Sequence, residues 1–150
     1  QGDPVEFLAT GTIGVAAAGD TLLLGPLTGV FYTDASTSKP TWANHLNASN
    51  TATDIVGFVS DDPYERFEIQ SDGATAVADV GLNADIVYAA GSSPDYISKV
   101  ELDFSDQKTA TAQLRIMGIS KDPSNDTAGS ANVNLVVMIN EHFLKGTVGI

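Results

Sequence analysis

Val100-Glu101-Leu102-Asp103-Phe104 sets an apolar side chain at every second position and an acidic one between. Only an extended chain, whose successive side chains point to opposite faces, turns that order into one buried and one wetted face, so the stretch predicts a β-strand. The same period runs through Arg66-Phe67-Glu68-Ile69-Gln70 and through Gln113-Leu114-Arg115-Ile116, which Met117 and Ile119 continue beyond Gly118. These are expected as half-buried strands.

Outward from these three, Val133, Leu135, Val137 and Ile139 share one face of a further run, while Val136 and Met138 fill much of the other. A strand apolar on both sides is expected to be central in its sheet or to lie in an interface. Residues 5–8, 13–17, 27–33 and 55–59 are short β-prone runs separated by glycine, asparagine and aspartate. Most of the fourteen glycines are expected as punctuation between runs. No window sustains apolar residues at helical spacing, and only residues 41–50 could wind a turn or two. Residues 34–54 and 121–132 lack periodicity and predict long, exposed polar loops. The expected fold is all-β, a β-barrel or sandwich-like single domain over residues 1–150 with no linker or internal repeat. The chain opens at Gln1 without a methionine, which leaves room for an N-terminal arm upstream.

Composition narrows the function classes. Seven basic against nineteen acidic residues give a formal charge of −12, the wrong sign for a phosphate backbone or an anionic membrane surface. Neither nucleic acid nor membrane is expected as a partner. The absence of cysteine removes disulfides, thiolate nucleophiles and cysteine-ligated metal centres, so stability must come from packing or assembly.

Chemistry is hard to find in the remaining residues. The two histidines, His45 in a polar stretch and His142 after the last long strand, have no neighbour at metal-ligand spacing. They read as a solvated loop residue and as a strand-end side chain bonded to backbone or to Glu141. No serine sits in a Gly-x-Ser-x-Gly elbow, and no glycine-rich phosphate cradle precedes a helix. Asp122, Ser124 and Asp126 are spaced like the first ligands of a calcium loop, but Thr127 replaces its glycine and Val133 its closing glutamate. A turn whose carboxylates cap backbone amides is the simpler expectation, and Asp61 and Asp62 read alike. Asn47-Ala48-Ser49 and Asn125-Asp126-Thr127 fit the glycosylation pattern, which an asparagine-rich and threonine-rich chain produces by chance. No catalytic residue, cofactor or metal is expected. The aromatic residues Phe7, Phe31, Tyr32, Phe58, Phe67, Phe104 and Phe143 are assigned mostly to the core. Trp42, beside Pro40 and His45, either caps one end of the fold or anchors an interface, and both roles would bury it.

Several phrases, in order and with their spacing, resemble a known family. They are Gln1-Gly2-Asp3-Pro4-Val5-Glu6, Phe31-Tyr32-Thr33-Asp34, Asp61-Asp62-Pro63, Phe67-Glu68-Ile69-Gln70 and Ala78-Asp79-Val80-Gly81. Leu102-Asp103, Thr111-Ala112-Gln113-Leu114-Arg115-Ile116-Met117-Gly118, Asp122-Pro123 with Asn125, and Ile139-Asn140-Glu141-His142 follow. Over nearly its whole length the chain is similar to a family of tailed-bacteriophage head proteins whose best-placed relatives decorate or cement capsids. That family begins upstream of the Gly-Asp-Pro-Val segment.

The resemblance implies a structural virion protein, made in the host cytoplasm and bound to the outer capsid surface. It implies a homo-oligomer, dimer or trimer, that bridges subunits of the major capsid protein and needs no active site. The candidate contacts are the N-terminal residues Gly2, Asp3, Pro4, Val5 and Phe7, together with Trp42. On the C-terminal side they are Val136 and Met138, then Asn140, Glu141, His142 and Phe143. For the C-terminal set the alternative is a core strand and its exit turn. Competing expectations are a head-completion or tail component, a small-ligand-binding barrel with a deep apolar pocket, and a hydrolase with a carboxylate pair.

Overall fold

The computed structural model describes residues 1–125 and 129–145. Its strands are β1 (Pro4–Phe7), β2 (Ile13–Val15), β3 (Leu23–Thr33), β4 (Pro40–Ala43), β5 (Val56–Val59), β6 (Arg66–Gln70), β7 (Asn83–Ala84), β8 (Ile86–Val87), β9 (Glu101–Leu102), β10 (Leu114–Ile119) and β11 (Asn134–Ile139). Three short 3₁₀ turns are the only helical pieces among the described residues. The protein is all-β.

Two antiparallel sheets dominate. One has the order β2-β1-β3-β4 with β5 also on β3; the other runs β6-β11-β10-β7, and β8 and β9 form a separate ribbon. None closes into a barrel among the described residues, so the architecture is sandwich-like. The alternating stretch Arg66–Gln70 is β6, with Phe67 and Ile69 turned inward and Arg66, Glu68 and Gln70 exposed. In β11 Leu135, Val137 and Ile139 are buried, and it is central as expected. Its second face is only half-covered, because Val136 and Met138 remain partly exposed.

The core lies under the four-stranded sheet. Leu114, Ile116, Leu135, Val137 and Ile139 supply its floor, Ile86 and Leu102 of the ribbon close it from one side, and Ala16 and Leu23 reach it from the other sheet. Each leucine, isoleucine and valine among them contributes roughly 1.5–3 kcal/mol by leaving water. β3 is eleven residues long and changes company along its length. Its start pairs with β1 near Leu23 and Gly25, and its far end is flanked by β4 and β5 at Val30 and Phe31. That far end forms a β4-β3-β5 wing.

Three expectations are corrected here. Of Val100–Phe104 only Glu101 and Leu102 pair as a strand, because Asp103 Oδ1 accepts the amide and hydroxyl of Ser105 and starts a turn. The stretch 34–54 is not all loop: Pro40–Ala43 is β4, with Phe31 opposite Trp42. Gly14, Gly25 and Gly29, expected between runs, do not punctuate: Gly14 lies inside β2 and the other two inside β3.

One buried amide ties the sheets together. Gln113 is fully buried; its Oε1 accepts the Ile86 amide at 3.0 Å, and its Nε2 donates to the carbonyls of Ala17 at 2.8 Å and Asp20 at 2.9 Å. Gln113→Leu would keep the volume and leave the buried Ile86 amide and the part-buried Ala17 and Asp20 carbonyls without their partner. The expected cost is about 2–3 kcal/mol, since each orphaned group forfeits its solvation. A urea-unfolding midpoint unchanged by the substitution would refute this role.

Candidate functional site

Residues directly paired across strands send their side chains to the same face. Phe31 is paired with Trp42 on β4 and with Val56 on β5, and Gly29 with Phe58. Phe31, Trp42, Val56 and Phe58 therefore share one face of the wing, where they are 42%, 56%, 52% and 45% exposed. The inward face is supplied by Val30, 3% exposed, with Ala43 and Gly57 opposite it. Gly29 lets the outer face close up: a Cβ there would overlap Trp42 Cζ2, and without it the Trp42 and Phe58 rings meet at 4.8 Å between centroids. Three large rings in water on a paired sheet are a cost that the chain's own fold does not recover.

This overturns two expectations. Phe31 and Phe58 are not core residues, and Phe104, 38% exposed, is not one either. Trp42 is neither in a loop nor buried within the chain. The signal that would have found the face is the unbroken Val30-Phe31-Tyr32 run: with Val30 turned inward, the next side chain must turn outward.

The other candidate contacts fall elsewhere. Phe7 stacks on Phe143 with centroids 4.8 Å apart, and the Leu23 amide donates to the Glu141 carbonyl at 2.9 Å, so the N- and C-terminal segments meet. Within them Val5 is 3% and His142 1% exposed, which commits both side chains to the chain's own interior. Gly2 is exposed, and Asp3, Pro4, Phe7, Asn140, Glu141 and Phe143 are half-buried. Val136 and Met138 lie on the outer face of the four-stranded sheet.

His142 is, as expected, a strand-end side chain bonded to backbone, and it is buried. Its Nδ1 accepts the Leu144 amide at 3.0 Å, which places the proton of the neutral ring on Nε2, an atom without a partner among the described residues. Burial pushes the imidazole below its ordinary value, against the pull of the Leu24 backbone and the Asp61 and Asp62 charges; Lys145 adds to the depression. A histidine that stays neutral when folded but charges when unfolded contributes stability above its ordinary value near 6.5, lost as pH falls through the folded value. Stability is expected to decline from pH 7 toward pH 5.5, by up to about 1.4 kcal/mol per pH unit. His142→Asn, which keeps an acceptor for Leu144, should flatten that slope in urea titrations. Glu6 and Glu141, both raised by burial, act in the opposite sense in wild type and variant alike and leave this difference intact.

His45 is half-buried and stacked on Tyr96 at 3.8 Å, so it is not free in solvent. The acidic turns read as caps. Asp122 Oδ1 accepts the Ser124 amide at 2.8 Å and its hydroxyl, and Asp62 Oδ1 accepts the Tyr64 amide at 2.9 Å. Asp126 and Thr127 lie outside the described residues. Asp34 Oδ1 gathers the amides and hydroxyls of Ser36 and Thr37, which lowers its carboxyl to about 2. Among the described residues no group of three or more His, Asp or Glu is arranged to hold a metal ion.

A groove of about 830 Å³ opens between the two main sheets. Its floor is core: Leu23, Ile86, Leu114, Val137 and Ile139. Phe67 and Ile69 of β6 form one wall, and Gly2, Pro4, Pro26 and residues 97–101 form the other. Several polar groups around it are engaged away from the space. Lys99 Nζ donates to Ser92 Oγ, Gln70 Nε2 to the Asn132 carbonyl, and the Gln1 ammonium to the Tyr96 carbonyl. Compared with protein families, characterised proteins and solved structures, the chain gives no significant match.

Proposed function

We propose that the protein is a structural virion protein, a decoration or cement protein that binds the outer surface of a phage capsid as a homo-oligomer. The observation that carries this is the exposed face of Phe31, Trp42, Val56 and Phe58, four large apolar side chains on a three-stranded wing. Such a face is dry only against another protein. The acidic body, with a formal charge of −12, favours an outward position over one lining DNA. The family resemblance adds the partner, the major capsid protein.

The mechanism is multivalent clamping. Each copy contributes modest contacts; once several are linked in one oligomer, later contacts become intramolecular and avidity rises roughly 10²–10⁴-fold. A site that exists only where assembled subunits adjoin stabilises the shell by mass action. The half-buried Phe7 and Phe143 stack and the outer-face pair Val136 and Met138 are second candidates for lattice or oligomer contacts.

Light scattering on the purified chain, followed by sedimentation with undecorated capsids, tests the proposal. Saturable pelleting at high copy number supports it, whereas a low copy number points to a head-completion or tail component. A monomer that never pellets with shells rules it out. The apolar groove favours a second reading, a small-ligand-binding β domain, for which a stable monomer with a saturable apolar ligand would speak.

A further inference from the structure

β6 is an edge strand, paired along one side with β11. The Ser71 amide donates to the Val133 carbonyl at 2.9 Å and ladder groups alternate, so Phe67 and Ile69 turn their backbone groups to β11, and Arg66, Glu68 and Gln70 turn theirs outward. At the C-terminal end the outer side is taken up: the Asp72 amide donates to the Leu102 carbonyl at 3.1 Å, beside a bridge between Ser71 and Leu102. Before that point the amides and carbonyls of Arg66 and Glu68 have no partner among the described residues. No bulge interrupts the β6–β11 register and no proline guards the edge.

The charges on the strand select what pairs there. Arg66 and Glu68 are exposed on the outer face of the sheet, and the ion pairs among the described residues are those of Lys108 with Asp85 and Asp106, so neither side chain has an ionic partner there. In an antiparallel pair of two β6 strands, outward-facing backbones must meet each other, so the twofold axis passes through a residue. An axis at Arg66 or at Glu68 sets that charge against its own like. An axis at Ile69 or Gln70 drives the strand into Asp72 of the other copy, where the edge is already occupied. At Phe67, Arg66 of each copy stands opposite Glu68 of the other.

We propose that two copies of the chain pair antiparallel through β6 about a twofold axis at Phe67, joining their four-stranded sheets into one. The strands lie about 4.8 Å apart, and the Arg66 and Glu68 backbones of the two copies complete each other's ladder. Phe67 meets its counterpart on the inner face, in the closer, non-hydrogen-bonded kind of pair. On the outer face the Arg66–Glu68 ion pairs are flanked by Met138 and Val136, which stand beside Arg66 and Glu68 in the β6–β11 register and are half-buried in the single chain. Before Arg66 the chain leaves the strand in a turn, the Glu65 amide donating to the Asp62 carbonyl at 3.1 Å, so it does not run on into the Ser71–Leu102 bridge of the other copy. A foreign strand would close the same ladder; the chain's own strand also answers both charges. This inference rests on the homo-oligomer of the proposed function, whose contact and symmetry it names, and it uses a different face from the wing.

The test is light scattering on the purified full chain over a range of concentrations, with the two charges reversed singly and together. The wild-type protein is expected as a dimer. Glu68→Arg and Arg66→Glu, which set like charges opposite each other, should each weaken dimerisation roughly tenfold or more, with circular dichroism unchanged because both side chains are exposed. Arg66→Glu with Glu68→Arg in one chain restores opposite charges in the same register and should restore the dimer, which a merely structural role for either residue would not do. The chain has no cysteine, so register is read separately: Arg66→Cys chains mixed with Glu68→Cys chains should cross-link under mild oxidation more readily than either alone. A wild-type monomer would overturn the proposal and leave the edge to a strand of another protein. So would a trimer, a dimer indifferent to every reversal, or equal cross-linking of mixed and unmixed chains. Sedimentation with shells is scored apart: a monomer that still pellets sinks the pairing alone, and a dimer that never pellets sinks the shell proposal alone.

Discussion

Gly25→Ala is expected to destabilise the protein by about 4–5 kcal/mol, the sum of a strained backbone and a clash that neither side can relieve. Gly25 sits in β3 at φ +145°, a region L side chains rarely adopt, and a Cβ there would overlap the Ser60 carbonyl oxygen. Ser60 is not free to retreat: its amide donates to the Pro26 carbonyl at 3.2 Å, which holds the end of β5 against β3. Here β3 passes from β1 to β5, with a register irregularity in the β1 pairing between Val5 and Glu6. Glycine is what lets one strand serve both partners. Gly118→Ala is the control, because a Cβ there meets nothing within 4 Å and the shift should stay within about 0.5 kcal/mol. Equal urea midpoints for the two variants would refute this account of the junction.

How much of this was legible depended on whether local pattern or tertiary pairing decided each element. Arg66–Gln70 and Asn134–Ile139 read correctly because each strand has one face against the core, so hydrophobicity alternates with the backbone. Val100–Phe104 carried the same pattern, yet Asp103 competes for the backbone and ends the strand after Leu102. β4 was invisible: Pro40-Thr41-Trp42-Ala43 has no alternating apolar period, and it is a strand because β3 lies beside it. The wing face was hidden by a sound rule misapplied. Aromatic residues on strands are usually core, but here Val30 satisfies the inward side and leaves Phe31 outside. The groove needs β6, the N-terminal strand and residues 97–101 at once, and no single stretch encodes it.

The wing face yields the second large effect. Trp42→Ser with Phe58→Ser is expected to weaken capsid binding by about 100-fold or more, as truncation of central aromatic anchors costs roughly 2–4 kcal/mol. The fold should survive, because neither ring belongs to the buried core and both are about half exposed already, at 56% and 45%. Stability loss should stay near 1 kcal/mol, mostly the ring contact between them. The two readouts separate a contact face from a structural one: circular dichroism and Tm near wild type, with sedimentation on capsids abolished. Trp42 is the only tryptophan, so its emission in the wild-type protein reports occupancy directly, shifting to the blue as shells cover the ring. If the double variant decorates shells as well as the wild type does, the face is not the capsid contact. The Phe7–Phe143 end and the outer face of Val136 and Met138 would then be the next surfaces to truncate.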